Sequence, residues 1–266
     1  MLHNLVRLRR YRALIQSLVA RELKARYRGS VLGFFWSFIN PLTLLLIYTF
    51  VFKYVMPAAI KGIDHYPLFM FCGLLPWTWF ASSLTESSGV LISGGNLIKK
   101  VLFPAEILPI VTVTANMIHF FLALPILVVF LIYYKAPLTA GELLCFPLVV
   151  AVQFLFTLAC ALILSALTVH FRDIKDILSN VLTMWFFATP IIYPYLYMPE
   201  TAQAFKKYIN LNPFSHIVIS YQEILFFEGP FGHWKWLAAL GAASAAFFLL
   251  AYWIFDRLRD SFAEEV

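Results

Sequence analysis

Six stretches without a single Asp, Glu, Lys or Arg constrain this chain most. They are 20 to 28 residues long and lie at 29–52, 66–85, 107–134, 143–169, 177–199 and 236–255. A helix of about 20 apolar residues crosses the hydrocarbon core of a bilayer, and a backbone in lipid must satisfy its own hydrogen bonds, which favours helices. The sequence therefore predicts an all-α membrane protein with six transmembrane helices per subunit. Buried helices of a soluble protein are the poorer alternative, because too little chain would remain to cover six such runs.

The composition leaves little chain outside these runs. The protein is 62% hydrophobic and only 13% charged over 266 residues, so we expect no attached soluble nucleotide-binding or catalytic domain. Cys72, Cys145 and Cys160 all lie within apolar runs and lack metal-ligand spacing, which is typical of small packing residues. The net charge of +6 does not indicate nucleic-acid binding, because the basic residues are distributed as a membrane protein would place them.

That distribution predicts the orientation. Eight Lys and Arg residues precede the first run, and if the N-terminus is cytoplasmic, 14 basic residues lie inside and 6 outside. The positive-inside rule then places both termini in the cytoplasm. A cleaved signal peptide is the rival interpretation of the first run, but its polar lead is too long and its apolar core is about twice the usual length.

The residues before the first run have a pattern of their own. Seven aliphatic residues recur at roughly helical spacing between the arginines: Leu5, Leu8, Leu14, Ile15, Leu18, Val19 and Leu23. This predicts an N-terminal amphipathic interface helix in the inner headgroup layer; a plain basic tail is the alternative. The predicted organisation is an interface helix at 1–30, a six-span domain at 31–256 and a cytoplasmic tail at 257–266.

Three connections carry further information. In 86–106, glycines interrupt the helix and a short amphipathic segment ends at Pro104. The link at 170–176 is very short and charged. The link at 198–235 is long and apolar, and it is broken by Asn-Pro and Gly-Pro pairs. It predicts short re-entrant outer helices before the last span, with a solvated loop as the alternative.

The runs contain few groups that could perform chemistry. His119 is their only acidic or basic side chain, and we interpret it as a helix-contact residue rather than a proton relay. The sequence shows no metal-ligand cluster and no nucleophile with a base. We therefore predict no catalytic residue and no metal site, and a transporter built this way would take its energy from a partner.

Aromatic residues make up 18% of the chain. Many lie near the ends of the runs, as in an interfacial aromatic belt. A second interpretation is a pore lined by rings, on which the C–H faces of sugars would stack. The predicted channel-lining aromatics are Trp36, Tyr48, Phe52, Trp185, Phe186, Phe187 and Tyr193.

Several motifs resemble the permease subunit of type-two ABC polysaccharide exporters, which export O-antigen, teichoic acid or related glycans. The resemblance covers nearly the whole chain. It rests on the run from Arg21 to Leu42 (RELKARYRGSVLGFFWSFINPL), on Asn96 to Pro104 (NLIKKVLFP), on Phe171 to Ile174 (FRDI), on Thr189 to Tyr193 (TPIIY) and on Asn212-Pro213.

The resemblance implies a homodimer in the bacterial inner (cytoplasmic) membrane, surrounded by membrane lipid and paired with two copies of a cytoplasmic ABC ATPase. The substrate would be a polysaccharide linked to undecaprenyl diphosphate, passing through a channel between the two copies lined by roughly 31–52 and 177–197. Outer helices at 199–228 would form a gate. ATP and Mg would be bound by the ATPase, with no cofactor in this chain.

The same resemblance implies residue roles. The ATPase-coupling residues would be Asn96, Lys99, Lys100, Phe103, Arg172 and Asp173. Arg26 and Arg28, just before the first run, are candidates for charge-assisted hydrogen bonds to the lipid diphosphate, with simple topology determination as the alternative. Two other functions stay open at this stage: an ABC permease for a drug or small lipid, and a membrane scaffold without transport.

Overall fold

The computed structural model describes residues 11–26, 28–29, 35–55, 63, 65–99, 103–195, 198 and 200–265, and these contain helices but no strand. The α-helices are α1 (Arg12–Arg26), α2 (Trp36–Phe50), α3 (Tyr66–Ser93), α4 (Gly95–Ile98), α5 (Ile107–Tyr133), α6 (Ala140–Leu143), α7 (Phe146–His170), α8 (Ile174–Ala188), α9 (Lys206–Leu211), α10 (Pro213–Leu225), α11 (Trp234–Leu258) and α12 (Phe262–Glu265). A π-helical turn at Val51–Val55 extends α2, and 3₁₀ turns at Glu200–Phe205 and Arg259–Ser261 precede α9 and α12.

Four helical segments in the described residues are long and apolar enough to cross a bilayer. They are Tyr66–Ser93, Ile107–Tyr133, Gly141–His170 and Trp234–Ser261. They coincide with the second, third, fourth and sixth uncharged runs. The prediction of an all-helical membrane protein is therefore confirmed for these four.

The first and fifth runs form shorter helices. The 15 residues of α2 and of α8 each span about 22 Å at 1.5 Å per residue, less than the roughly 30 Å of a hydrocarbon core. The π-helical turn lengthens α2, whereas α8 ends at Thr189, which is extended (φ −101°, ψ 138°). Proline disfavours helical conformation in the residue before it, so Pro190 accounts for this end. Six full spans stay a prediction.

Helix α3 lies at the centre of the bundle. It contacts α2, α5, α7, α8 and α10, and large side chains on all sides of it are buried, among them Phe69, Phe71 and Phe80. Gly73 allows a close approach of α10: a Cβ there would lie 3.0 Å from Val218 and 3.1 Å from the Gln222 amide. The short helix α10 therefore packs almost against the α3 backbone.

Side-chain pairs give the direction of α5 and α8 relative to α3. Trp79 stacks on Phe120 at 5.3 Å, and Glu86, further along α3, meets Asn116, earlier in α5, so α3 and α5 are antiparallel. Trp77 contacts Phe186 while Phe80 contacts Trp185, which makes α8 antiparallel to α3 as well.

The other two long helices run in the direction of α3. Gln153 in α7 donates to the Pro76 carbonyl at 2.7 Å, and Phe156 stacks on Phe80 one turn later. Helix α11 runs parallel to α7, because Phe156 contacts Phe247 and, further along both helices, His170 contacts Ser261 at 3.0 Å. The direction of these helices thus alternates along the chain.

The alternation gives the bundle two distinct ends. The C-termini of α3, α7 and α11 and the N-termini of α5 and α8 lie at one end, which we call the Arg26 end because Arg26 contacts Glu86 there. The opposite end, called the Tyr66 end, holds the start of α3 and the segments around α6, α9 and α10. There the Tyr66 hydroxyl donates to the Ile192 carbonyl.

Helix α1 packs along the first half of α5. Its Val19 is buried with Ile107, Val111 and Ala115, and Leu14, Ile15, Leu18 and Leu23 pack around that cluster. The predicted helix is therefore present over Arg12–Arg26, with the apolar residues on its buried face, whereas Leu5 and Leu8 lie outside the described residues. Whether α1 lies in a lipid interface stays a prediction.

The segment 198–235 contains two short helices, as predicted, and α10 belongs to the core. Phe214, Ile217, Val218 and Tyr221 are fully buried. Gln222 donates to the Pro190 carbonyl at 2.9 Å, which satisfies a backbone group left open where α8 ends. That α9 and α10 are re-entrant in the membrane stays a prediction.

Candidate functional site

A groove between α3 and α8 combines aromatic rings with hydroxyl groups. Its volume is about 360 Å³, and it is lined by Trp77, Ala81, Thr85, Ser179, Leu182, Thr183 and Phe186. The rings of Trp77 and Phe186 lie 5.7 Å apart. Each hydroxyl donates to a carbonyl of its own helix at 2.8 to 2.9 Å, which leaves its oxygen free to accept a hydrogen bond. Sugars offer C–H faces and hydroxyl donors, which this surface matches.

The three consecutive aromatics of α8 point in different directions, as the helical period requires. Trp185 packs edge-on against Phe80 at 5.2 Å and belongs to the core of the bundle. Phe186 faces the groove. Phe187 is 62% exposed and offers its ring to whatever adjoins α8. The predicted triplet therefore splits into two half-buried rings that pack against the core, Trp185 and Phe186, and one exposed ring, Phe187.

The other predicted channel aromatics lie apart from the groove. Trp36 is 39% exposed and lines a separate cavity between α2, α3 and α5. Tyr48 and Tyr193 are half-buried. The backbone of Phe52 belongs to the π-helical turn, but its side chain lies outside the described residues. Among the six described rings, only Phe186 lines the groove, and Trp36 lines the other cavity.

Asn212 joins α8 to α10, a role that the sequence analysis missed. Its Oδ1 accepts from the Trp185 indole N–H at 2.8 Å and from the Phe214 backbone N–H at 3.1 Å. Its Nδ2 donates to the Thr189 hydroxyl at 3.0 Å. Asn before Pro is a helix N-terminal signal, so the cap was visible in the sequence while the indole contact was not.

The two arginines predicted to contact a lipid diphosphate have different surroundings. Arg26 pairs with Glu86 through its Nη2, which lies 2.7 and 2.8 Å from the two carboxylate oxygens, and its Nη1 donates to the Asn116 amide oxygen at 3.2 Å. Asn116 closes the network by donating to Glu86 at 2.7 Å. Arg28 is exposed beyond the end of α1. The signal for this network was Asn116 itself, a polar amide inside an otherwise apolar run.

The described coupling residues lie together at the Arg26 end. Asn96 and Lys99 are exposed at α4, and Arg172 and Asp173 are exposed in the turn before α8. Phe103 packs against both α1 and the main core. Helix α12 contacts α4 and α7, and so connects the two segments. Lys100 lies outside the described residues.

A pair of buried histidines joins α10 to α11 at the Tyr66 end. His216 Nδ1 lies 2.8 Å from His233 Nε2, and His216 Nε2 lies 3.0 Å from the Asn210 carbonyl. Because a carbonyl only accepts, His216 carries its proton on Nε2, and His233 must donate to Nδ1. Trp236 stacks on His216 at 4.8 Å.

Burial sets the ionisation of this cluster. It lowers the pKa of His216 and, together with the neighbouring His216, lowers the pKa of His233 to about 4. Glu223 accepts from the His233 backbone N–H at 2.9 Å, and burial raises its pKa. Both histidines are thus neutral at pH 7. In the part of the chain that the structure describes, no group of three or more His, Cys, Asp or Glu is arranged to hold a metal ion.

Known proteins resemble this chain over most of its length. A family profile described as ABC-2 type transporter matches residues 13–226, from α1 to just after α10. The O-antigen export system permease protein RfbA of Myxococcus xanthus is 43% identical over 257 residues, 96% of each chain.

Two further relatives are less similar to this chain. A protein of the same name from Klebsiella pneumoniae is 34% identical over 251 residues, 94% of each chain. The polysialic acid transport protein KpsM of Escherichia coli is 25% identical over 213 residues, covering 77% of this chain and 78% of its own.

Proposed function

The chain belongs to the ABC-2 type transporter family, as its motifs predicted, and we propose that it is the transmembrane subunit of an exporter for a lipid-linked, O-antigen-like polysaccharide. Two copies form the channel, and ATP hydrolysis on a separate subunit drives export. The observation that carries this proposal is the 43% identity, across 96% of both chains, with a protein named for O-antigen export. The similarity to a polysialic acid transport protein supports a glycan as the substrate class.

The bundle supports an inside-facing Arg26 end. A path of six passes requires that α2 and α8 also cross the membrane. Helix α8 then supplies the return pass between α7 and α11, which run in the same direction. The Arg26 end carries Arg26, Lys99, Arg172, Arg257 and Arg259, so the positive-inside rule places it in the cytoplasm. Both termini then lie in the cytoplasm, and the chain spans the inner membrane.

The exposed face of α8 supports a path between two copies. Phe187 and Met184 are each more than 60% exposed, and the groove with Phe186, Ser179 and Thr183 lies next to them. Rings and hydroxyl oxygens bind sugars without fixed charges, so a glycan could move from one contact to the next. A second copy placed against this face would enclose it.

The Arg26 end supports docking of a separate ATPase. Asn96, Lys99, Arg172 and Asp173 present polar and charged groups at α4 and at the start of α8. Both segments continue directly from long helices, so a force applied there passes into α3, α7 and α8. The ATPase would supply ATP and Mg binding, and this chain would supply the path.

Deletion of the encoding gene tests the proposal. We expect surface polysaccharide to disappear and its lipid-linked form to accumulate at the inner face of the membrane, with recovery when the wild-type chain is restored. Gel analysis of surface glycan and mass spectrometry of extracted lipid-linked glycan would measure both. Unchanged surface polysaccharide, accompanied by altered retention of drugs or small lipids, would contradict glycan export and favour that other cargo.

A further inference from the structure

A second cavity lies between α2, α3 and α5, within one copy of the chain. Its volume is about 480 Å³. Its lining includes Arg26, Asn40, Phe71, Ser82, Asn116 and Ala123. We call it the α2–α3–α5 slot. It is separate from the groove on α8.

The lining changes from polar to apolar along each helix. On α3, the polar Ser82 lies toward the Arg26 end and the apolar Phe71 lies toward the Tyr66 end, about 16 Å apart along the helix. On α5, which runs the opposite way, Asn116 and His119 come before Ala123. The two gradients therefore point in the same direction.

The third wall agrees with this gradient. On α2, Asn40 comes before Leu44, so polar lining again precedes apolar lining along the chain, as it does on α5. The slot is thus polar at one end and apolar at the other. A wholly apolar ligand would leave the polar end without partners, and a wholly polar one would be buried against Leu, Phe and Trp side chains.

The polar end presents a guanidinium. Arg26 and Glu86 side chains are 30% and 37% exposed, so this end communicates with the surface. One terminal nitrogen of Arg26, Nη2, donates to both oxygens of the Glu86 carboxylate, and the other, Nη1, donates to Asn116. A guanidinium with both terminal nitrogens directed toward oxygen acceptors can also bind phosphate through charge-assisted hydrogen bonds. A phosphate could replace Glu86, whose released carboxylate is accessible to water, while Asn116 stays in reach of Arg26 at 3.2 Å.

From this geometry we infer that the α2–α3–α5 slot binds a phosphate-headed amphiphile. The phosphate takes the place of Glu86 on Arg26, and one apolar chain lies between α2, α3 and α5. The amphiphile has two sources: a phospholipid of the inner leaflet, or the diphosphate end of a polyprenyl carrier. The second source rests on the proposed function, and the first does not.

Native mass spectrometry of the purified complex with its ATPase tests the inference. The probes are geranylgeranyl diphosphate, oleoyl lysophosphatidic acid and, as the uncharged control, geranylgeraniol. We expect one bound phosphate-headed probe per chain and about tenfold weaker binding in Arg26→Gln, because a charge-assisted contact is lost. Arg21→Gln is the matched control, because Arg21 is exposed on α1 and does not line the slot, so this variant should bind the probes as wild type does.

Two further variants separate ligand binding from a merely structural ion pair. Glu86→Gln removes the competing carboxylate and should tighten probe binding, whereas a purely structural role for the pair predicts no such gain. Ala123→Phe fills the apolar end and should abolish binding. Thermal unfolding in the same detergent verifies that each variant is folded.

The outcomes are distinct. Similar binding of both phosphate probes assigns the slot to membrane phospholipid, and at least tenfold preference for geranylgeranyl diphosphate assigns it to the carrier. Equal binding of geranylgeraniol, or equal binding by wild type, Arg26→Gln and Glu86→Gln, would overturn the inference. Because no glycan or ATP is present, a chain that binds the probes but exports no glycan would refute the proposed function alone.

Discussion

The indole N–H of Trp185 donates to the side-chain oxygen of Asn212 at 2.8 Å. This bond ties the last turn of α8 to the start of α10. The same oxygen caps α10 through the Phe214 backbone N–H, so one side chain satisfies donors from both helices. Trp185 is therefore a poor probe of a glycan path, because replacing it disturbs the junction of two helices.

We expect Asn212→Ala to destabilise the folded chain by about 2 kcal/mol, since it removes a helix cap and leaves the indole donor without its partner. Trp185→Phe should cost less, about 1 kcal/mol, because the ring contact with Phe80 is kept and the cap is untouched. Thermal unfolding of the purified chain in one detergent would measure both.

Asn180→Ala is the matched control, because the Asn180 amide is exposed on α8 and its removal should change stability little. If Asn212→Ala unfolded at the wild-type temperature, the junction would have no energetic importance.

Phe187→Leu and Phe186→Leu test the ring-lined path without disturbing this junction. Leucine keeps helix hydrophobicity but removes the ring face, which is worth on the order of 1 kcal/mol per aromatic contact. We expect export per folded transporter to fall several-fold in the double variant, with normal membrane level and normal ATPase association. Surface glycan normalised to membrane-inserted protein is the measurement.

Ile132→Ala provides a comparison and should leave export unchanged, because Ile132 is also highly exposed but lies on α5. Normal export by the Phe186 and Phe187 double variant would refute the sugar path along α8 and leave the family assignment unaffected.

Local sequence predicted the four long helices but not the contacts that join them. An uncharged run of 20 residues or more has few alternatives in a membrane, so α3, α5, α7 and α11 were visible in the sequence. The early end of α8 was also encoded, in Pro190, but a count of uncharged residues does not register a proline. By contrast, Glu86 and Asn116 follow Arg26 by 60 and 90 residues in sequence, and only the fold brings the three residues together.

Single-cysteine labelling tests the orientation of the bundle. With Cys72, Cys145 and Cys160 replaced, we expect a cysteine at Glu228 or Gly141 to react with an impermeant maleimide in intact spheroplasts. A cysteine at Lys99 or Arg172 should react only after the membrane is permeabilised. Glu228 is preferred to Gly229, whose φ of +121° makes any side chain strained. The reverse labelling pattern would overturn the assignment of the Arg26 end to the cytoplasm.

Site-specific crosslinking tests the ATPase contact. We expect photoreactive residues at Lys99 and Asp173 to crosslink to the co-purified ATPase, because both positions are exposed at the Arg26 end. The same residue at Tyr208, exposed on α9 at the opposite end, should give no ATPase adduct. An active complex that crosslinks at neither Lys99 nor Asp173 would place the coupling surface elsewhere.

Acid should loosen the α10–α11 junction through its buried histidines. His233 has a folded pKa of about 4 against about 6.5 in an unfolded chain, so the unfolded state binds more protons between these values. The stability that the neutral histidine contributes is complete above about pH 6.5 and is lost as the pH falls toward 4. Glu223, whose pKa is raised by burial, acts in the opposite direction, because protonation favours its buried form.

We therefore compare wild type with His233→Gln, which keeps Glu223 and an amide donor but removes the titration of His233. Between pH 7 and pH 5, wild type should lose on the order of 1 kcal/mol more than the variant, measured by thermal unfolding and by hydrogen exchange in α10. Equal losses in the two proteins would show that the histidine pair does not set the acid sensitivity of this junction.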